Sequence, residues 1–309
     1  MSDPYDDPQA PQDESSESAP YSPDAPPGVP VARPLYEGVP VARPLSAAIP
    51  LSPPPHPMLL ADSPLRFSYL LDVFVAMVCL VVLEFVFTPL VAASLGFDME
   101  SLHESSAEIT QALLVPILQL RVAYILLIVA VVLRLRRQSW ASVGMTSRRV
   151  GVDVLIGLGC PLVAYALIIP IMLLLMLTFP AAFEQMNQNA QNLQALLPDI
   201  PLWHYLPVMA IVGVWEELFF RGFVMTRLRR VTGSWIAGVV LSTLIFALLH
   251  LFEQTFTALV PITILSILFS VVTIWRRSLL PAIVGHALFN FSQVAWMNIM
   301  SRYLEATGS

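Results

Sequence analysis

Three short patches of chemistry-bearing residues interrupt apolar runs of this chain: Trp215-Glu216-Glu217-Leu218-Phe219-Phe220-Arg221, Phe246-Ala-Leu-Leu-His250 and His286-Ala-Leu-Phe-Asn290. A charge near the middle of a bilayer costs about 2.5–3.5 kcal/mol on insertion scales. Two adjacent glutamates and an arginine inside the run from about Tyr205 to Met225 therefore mark a site. Glu217 and Arg221 are four apart, acid first, the favourable order for a helical ion pair, so Arg221 is expected to neutralise and orient Glu217. Glu216 points about 100° round a regular helix and is left to face a pocket. Phe246 and His250 share one helix face, as do His286 and Asn290. The expected pocket holds one carboxylate, two imidazoles and one carboxamide, donated by three helices.

A carboxylate beside an imidazole can take a proton from water and make it a nucleophile. An imidazole and an amide donor can stabilise the oxyanion formed on an attacked carbonyl. These are the parts needed to hydrolyse a peptide bond. The same Glu216, His250 and His286 also make a set for a divalent cation such as zinc, with two ring nitrogens, one carboxylate oxygen and an open position. Asn290 is an unusual zinc ligand, which favours water activation without metal, and the cofactor stays open between the two. Taken singly each patch is bland. A lone histidine at a span end is more often structural, and Glu-Glu-x-x-x-Arg is common on soluble helices. Three such patches in successive apolar runs reverse that weighting.

The elements that must position these residues follow from composition. The chain is 56% hydrophobic and 12% charged, with mean hydropathy +0.71, against about a quarter charged residues in soluble domains. It reads as a membrane protein whose partners are lipids and a membrane-associated peptide or protein substrate. Nothing points to nucleic acid, and oligomeric state is open. All 16 fixed positive charges are arginine, a bias assigned mainly to a GC-rich, bacterial genome and so to a plasma membrane. Cys79 and Cys160 lie in apolar runs and are expected to be buried thiols rather than a disulfide or thiolate metal site.

Residues 1–66 are expected to be a disordered cytoplasmic tail, since 17 of the 27 prolines fall between Pro4 and Pro64 and proline forbids helix interiors. Gly28-Val-Pro-Val-Ala-Arg-Pro-Leu35 recurs at Gly38–Leu45, read as a duplicated linker before a docking motif. No apolar signal-peptide core appears in the first 30 residues. The fold class expected is all-α: a multi-pass transmembrane bundle of about seven spans near 68–95, 112–134, 153–179, 204–224, 235–252, 258–275 and 279–300. Arginines cluster in alternate loops, and the loops between them carry acids, so the positive-inside rule puts the amino terminus in the cytoplasm and the carboxyl terminus outside. Residues 67–139 then carry two preliminary helices, 140–300 the core that holds the patches, and 301–309 a short tail.

Smaller features fill in the picture. Glu184 to Leu197 is expected to form an amphipathic surface helix. Glu84 and Arg121 are expected to form a structural ion pair between the first two spans. Asp72 and Asp153 are placed at helix starts, where the dipole tolerates acid. Trp203, Trp235 and Trp275 suit an aromatic belt, whereas Trp215 is expected to wall the pocket. In straight helices Glu216 and His286 lie on the order of 11–12 Å from the cytoplasmic edge and His250 roughly 20 Å, a mismatch that tilt only reduces.

The three patches resemble the CPBP family of intramembrane proteases (CAAX proteases and bacteriocin-processing enzymes), whose pattern is EExxxR, FxxxH, then HxxxN or HxxxB. The likeness runs over roughly residues 140–292 and includes Arg221-Gly222 and Ser278-Leu-Leu-Pro-Ala-Ile. It implies a glutamate-dependent endopeptidase with Glu216 and His250 activating water. His286 and Asn290 would form the oxyanion hole, supported by Glu217 and Arg221, with the metal requirement open. The sixth span, Ala258 to Trp275, lacks the glycines common in that family, which bears on its packing. Two other classes compete. A proton-relay or transporter protein is disfavoured because no duplication of spans is seen. A non-catalytic scaffold of bacteriocin-immunity type would tolerate Glu216→Gln.

Overall fold

In the computed structural model, residues 66–97, 107–146, 149–196, 200–251 and 255–307 are described. The expected proline-rich tail and its repeat lie outside them. Among the described residues there is no strand, and the chain is a helical membrane bundle. The first pass is α1 (Arg66–Val82), a π-helical stretch (Leu83–Phe87) and α2 (Thr88–Ser94). Then come α3 (Ala107–Leu135), α4 (Val150–Thr178) and α5 (Ala181–Leu196). The next pass is α6 (Tyr205–Glu216), a second π-helical stretch (Glu217–Val224) and α7 (Met225–Thr232). It is followed by α8 (Trp235–His250), α9 (Leu259–Arg276) and α10 (Leu280–Thr307).

By length and apolar composition Phe67–Ser94, Ala112–Leu135, Val150–Thr178 and Phe256–Arg276 can cross a bilayer. Trp235–His250 is apolar but shorter. The run carrying the glutamates is interrupted by charge, as the sequence requires. Helix ends follow local chemistry: Ser234 caps α8 by accepting from the Ala237 N–H (3.3 Å), and Gly233 takes the left-handed conformation (φ 76°) that ends α7. The amphipathic segment expected at 184–197 is α5.

Lipid tails are as apolar as leucine, so helices in a bilayer associate through close packing of small residues and interhelical hydrogen bonds rather than through the hydrophobic effect. Both devices place α10, which packs against α4 on one side and α6 on the other. A Cβ at Gly285 would sit 2.7 Å from Cys160 Cβ, and one at Gly157 2.6 Å from Val284 Cβ, so α4 and α10 touch through glycine. Gly213 gives α6 the same closeness to α10, with the Ile283 carbonyl 3.0 Å from its virtual Cβ. Helix α9, which lacks glycine, uses hydroxyls instead. Ser266 shares a hydrogen bond with Thr243 of α8 (2.8 Å).

Ion pairs revise one expectation. Asp72 and Asp153 are not held by helix dipoles alone: Arg136 binds Asp72 and Arg276 binds Asp153, both at 2.7 Å. Asp153 does lie in the first turn of α4, but the arginine reaches it from 123 residues away. Glu84 and Arg121 form the expected pair (2.7 Å). Cys79 and Cys160 are free thiols, the first half-buried and the second buried.

Candidate active site

The first patch sits where α6 gives way to the π-helical stretch. Glu216 is the last α-helical residue, and Glu217 to Val224 is buried throughout. A π-turn is widened by one residue relative to an α-turn and recurs at functional sites. The ion pair expected from α-helical spacing survives the change: Arg221 NH1 lies 3.0 Å from Glu217 Oε1, with both side chains at most 1% exposed. The approach is off the hydrogen-bonding axis. Arg221 Nε, NH1 and NH2 and Glu217 Oε2 all lack hydrogen-bond partners, so the contact is coulombic. Arg221 is held instead between rings, 4.6 Å over Phe246 and 5.9 Å from Phe269. Ser242 of α8 donates to the Phe220 carbonyl (3.1 Å) and ties that helix to the π stretch.

His286 enters from α10, next to Gly285. Its Nδ1 lies 2.7 Å from Glu217 Oε1, and its Nε2 lies 3.7 Å from Glu216 Oε2. A carboxylate oxygen only accepts, so Nδ1 carries a proton and Glu217 fixes the orientation of the ring. Two neighbouring residues that diverge around a regular helix thus reach opposite edges of one imidazole. The gap to Glu216 exceeds a direct hydrogen bond, so Nε2 and the Glu216 carboxylate face each other without being joined. Phe269 stacks on the other side of the ring (5.4 Å between centroids, 20° between planes).

His250 is placed differently. Its Nδ1 lies 2.8 Å from the Phe246 carbonyl, one turn back in α8. A carbonyl only accepts, so Nδ1 donates and the Nε2 lone pair remains available. The ring packs on Phe246 (4.4 Å), which itself lies under Arg221. No hydrogen bond or ion pair joins His250 to Glu216 or His286. It borders the site through aromatic contacts, in keeping with the depth mismatch noted from the sequence. Asn290, one turn after His286, is half-buried with its carboxamide outside any hydrogen bond. Two residues on, Ser292 shares a hydrogen bond with Tyr165 of α4 (2.6 Å), which fixes this part of α10.

The structure therefore brings together Glu216, Glu217, Arg221 and His286, seats Phe246 beneath the arginine, and sets His250 and Asn290 at the border. Among the described residues no group of three His, Cys, Asp or Glu side chains is spaced to hold a metal ion. Glu216, His250 and His286 are not gathered as the zinc set considered above requires, because no contact joins His250 to the other two.

Two contributors escaped sequence reasoning. Phe269 is an aromatic in an apolar run with no signal that it would lie between Arg221 and His286. The Arg121 guanidinium, paired with Glu84, lies 5.5 Å over the Trp215 ring, so the first two passes touch the residue beside Glu216. Trp215 is buried against this cation, and its indole N–H has no partner.

Residues 198–292, which run from just before α6 to just past Asn290, match the family model described as Type II CAAX prenyl endopeptidase Rce1-like. No curated protein and no solved structure matches the chain. The match marks this segment as a CAAX-protease-like domain within an integral membrane protein.

Proposed function

We propose, from a CAAX-protease-like domain with this geometry, that the chain is an intramembrane endopeptidase in which Glu216 is the general base. Glu216 takes a proton from a water held beside its carboxylate and the His286 ring. The water oxygen then bonds to the substrate carbonyl carbon. His286 and Asn290 stabilise the resulting oxyanion, His286 through a proton that Nε2 carries before and after the step while Nδ1–H stays hydrogen-bonded to Glu217. As the C–N bond breaks, the proton held by Glu216 passes to the leaving amine. His250 assists Glu216 in moving the proton after closing on the site, since no hydrogen bond or ion pair joins the two side chains here. Arg221 holds Glu217 in place. No step uses a metal.

The observation that carries this reading is the position of His286 between two glutamates, one hydrogen-bonded to Nδ1 at 2.7 Å and the other facing Nε2 at 3.7 Å. That is the logic of an oriented imidazole in a hydrolase, built inside a low-dielectric interior where charge stabilisation is strongest. The substrate class proposed is a membrane-associated peptide or protein. We place the amino terminus in the cytoplasm and the carboxyl terminus outside a bacterial plasma membrane, on the arginine asymmetry of the loops. Comparative proteomics of membranes from cells carrying the wild type and Glu216→Gln tests it. One or a few precursors should accumulate in the variant. Indistinguishable membrane proteomes at equal expression would overturn the reading.

A further inference from the structure

Three elements meet at the arginine-rich end of the bundle: the start of α1, the linker after α3, and α7. From the linker, Arg136 grips both oxygens of Asp72 through Nε and NH2 (2.7–3.2 Å) and donates to the Ser68 carbonyl (2.8 Å). Arg230 of α7 donates to the Tyr69 hydroxyl (3.1 Å), and the Tyr69 ring lies against both Arg136 (6.0 Å) and Arg230 (5.3 Å).

Arg227 stands beside them in a different condition. It is 0% exposed, yet its hydrogen bonds reach only neutral oxygens: Thr226 Oγ1 at 3.2 Å and Gln138 Oε1 at 3.0 Å. Its Nε has no partner, and the guanidinium is otherwise backed by the Phe223 ring at 4.2 Å. Burial first, and the neighbouring Arg230 second, lower its pKa from the usual arginine value. Asp72 acts on it only at a distance, being engaged by Arg136. A buried cation without a paired anion is costly, and a planar guanidinium with an unpaired N–H is the side chain best shaped to take a phosphate.

Depth selects the ligand. Arg227 lies three residues past Val224, the last residue of the expected fourth span, which is about 4.5 Å along a helix and at headgroup level. Arg136, 27% exposed, keeps one edge of the cluster open to the surface. We propose that Arg227 and Arg136, with Arg230 adjoining, bind a phosphate group carrying net negative charge at the membrane surface. An anionic phospholipid headgroup and free inorganic phosphate share this chemistry.

The test uses the full chain in nanodiscs, with thermal unfolding followed by intrinsic tryptophan fluorescence. Phosphatidylcholine discs are compared with discs containing phosphatidylglycerol, and with phosphatidylcholine discs plus millimolar inorganic phosphate. Wild type should gain several degrees from at least one addition. A gain with phosphatidylglycerol alone identifies the lipid, and a gain with inorganic phosphate identifies the soluble anion. Arg227→Gln should lose that gain. Arg227→Lys, which keeps the charge but not the fork, should lose at least half of it and serves if the glutamine variant does not fold. Arg137→Gln, removing an exposed arginine of the same linker, should keep it. No gain in wild type, a full gain in Arg227→Lys, or an equal loss in Arg137→Gln would overturn the proposal.

Discussion

Two intramembrane ion pairs share a local setting and differ in everything around it. Glu84 and Glu217 each fall in a π-helical stretch, and each binds an arginine at 2.7–3.0 Å. Glu84–Arg121 joins two helices, remains a fifth to a third exposed, and spends its remaining contact on the Trp215 ring. Glu217–Arg221 lies within one helix segment, is sealed from solvent, and shares its acid with His286. The sealed pair is also the less complete, since Arg221 makes no hydrogen bond and one Glu217 oxygen has no partner. The outer pair also leaves a nitrogen unsatisfied, Arg121 Nε, but no histidine or second acid stands against it. The inner one leaves polar capacity unspent beside an imidazole and a second glutamate, which suits work on a water and a polar substrate.

Removing one member of each pair breaks or sharpens that contrast. Glu217→Gln strands a buried arginine and releases His286, so it should cost about 3–5 kcal/mol in thermal or denaturant unfolding of the purified protein, with cleavage lost as well. Asn290→Ala should leave unfolding close to wild type and lower kcat about 10²–10³-fold, read in single-turnover cleavage of a membrane-tethered peptide. Gly285→Ala forces a methyl to 2.7 Å from Cys160 Cβ and should cost about 1–3 kcal/mol through overpacking. Adding Cys160→Gly should recover much of that loss. Glu84→Gln should be mildest, about 0.6–1.7 kcal/mol as for interhelical polar contacts in bilayers, with cleavage retained. If Glu84→Gln instead abolished cleavage without destabilising the protein, the outer pair would belong to the site and the contrast would fail.

How far the sequence could be read follows the same division. Periodic, long-range-independent features were legible: the apolar runs that become helices, the amphipathic segment that becomes α5, the Glu84–Arg121 pair between adjacent passes, and the Glu217–Arg221 spacing. Features set by tertiary packing were not. A π stretch leaves no mark in a seven-residue motif, and α-helical geometry sends Glu216 and Glu217 apart when in fact one imidazole spans them. That meeting depends on the glycine contacts that draw α10 against α4 and α6, through Gly157, Gly285 and Gly213. Arg136 and Arg276 reach their acids across 64 and 123 residues, beyond any local reading. The sequence grouped His250 with the other site residues because its motif is as clear as theirs. The structure joins it to Phe246, through a ring contact and a backbone hydrogen bond, and by no hydrogen bond to either glutamate.

The most direct measurement is the initial rate of peptide-bond cleavage by the purified full chain in liposomes. It compares wild type, Glu216→Gln and Glu84→Gln on one pool of membrane-tethered peptides. Loss of a general base predicts a fall of about 10²–10⁴-fold for Glu216→Gln, at unchanged unfolding temperature, with Glu84→Gln within a few-fold of wild type. Cleavage by Glu216→Gln at the wild-type rate would contradict the account.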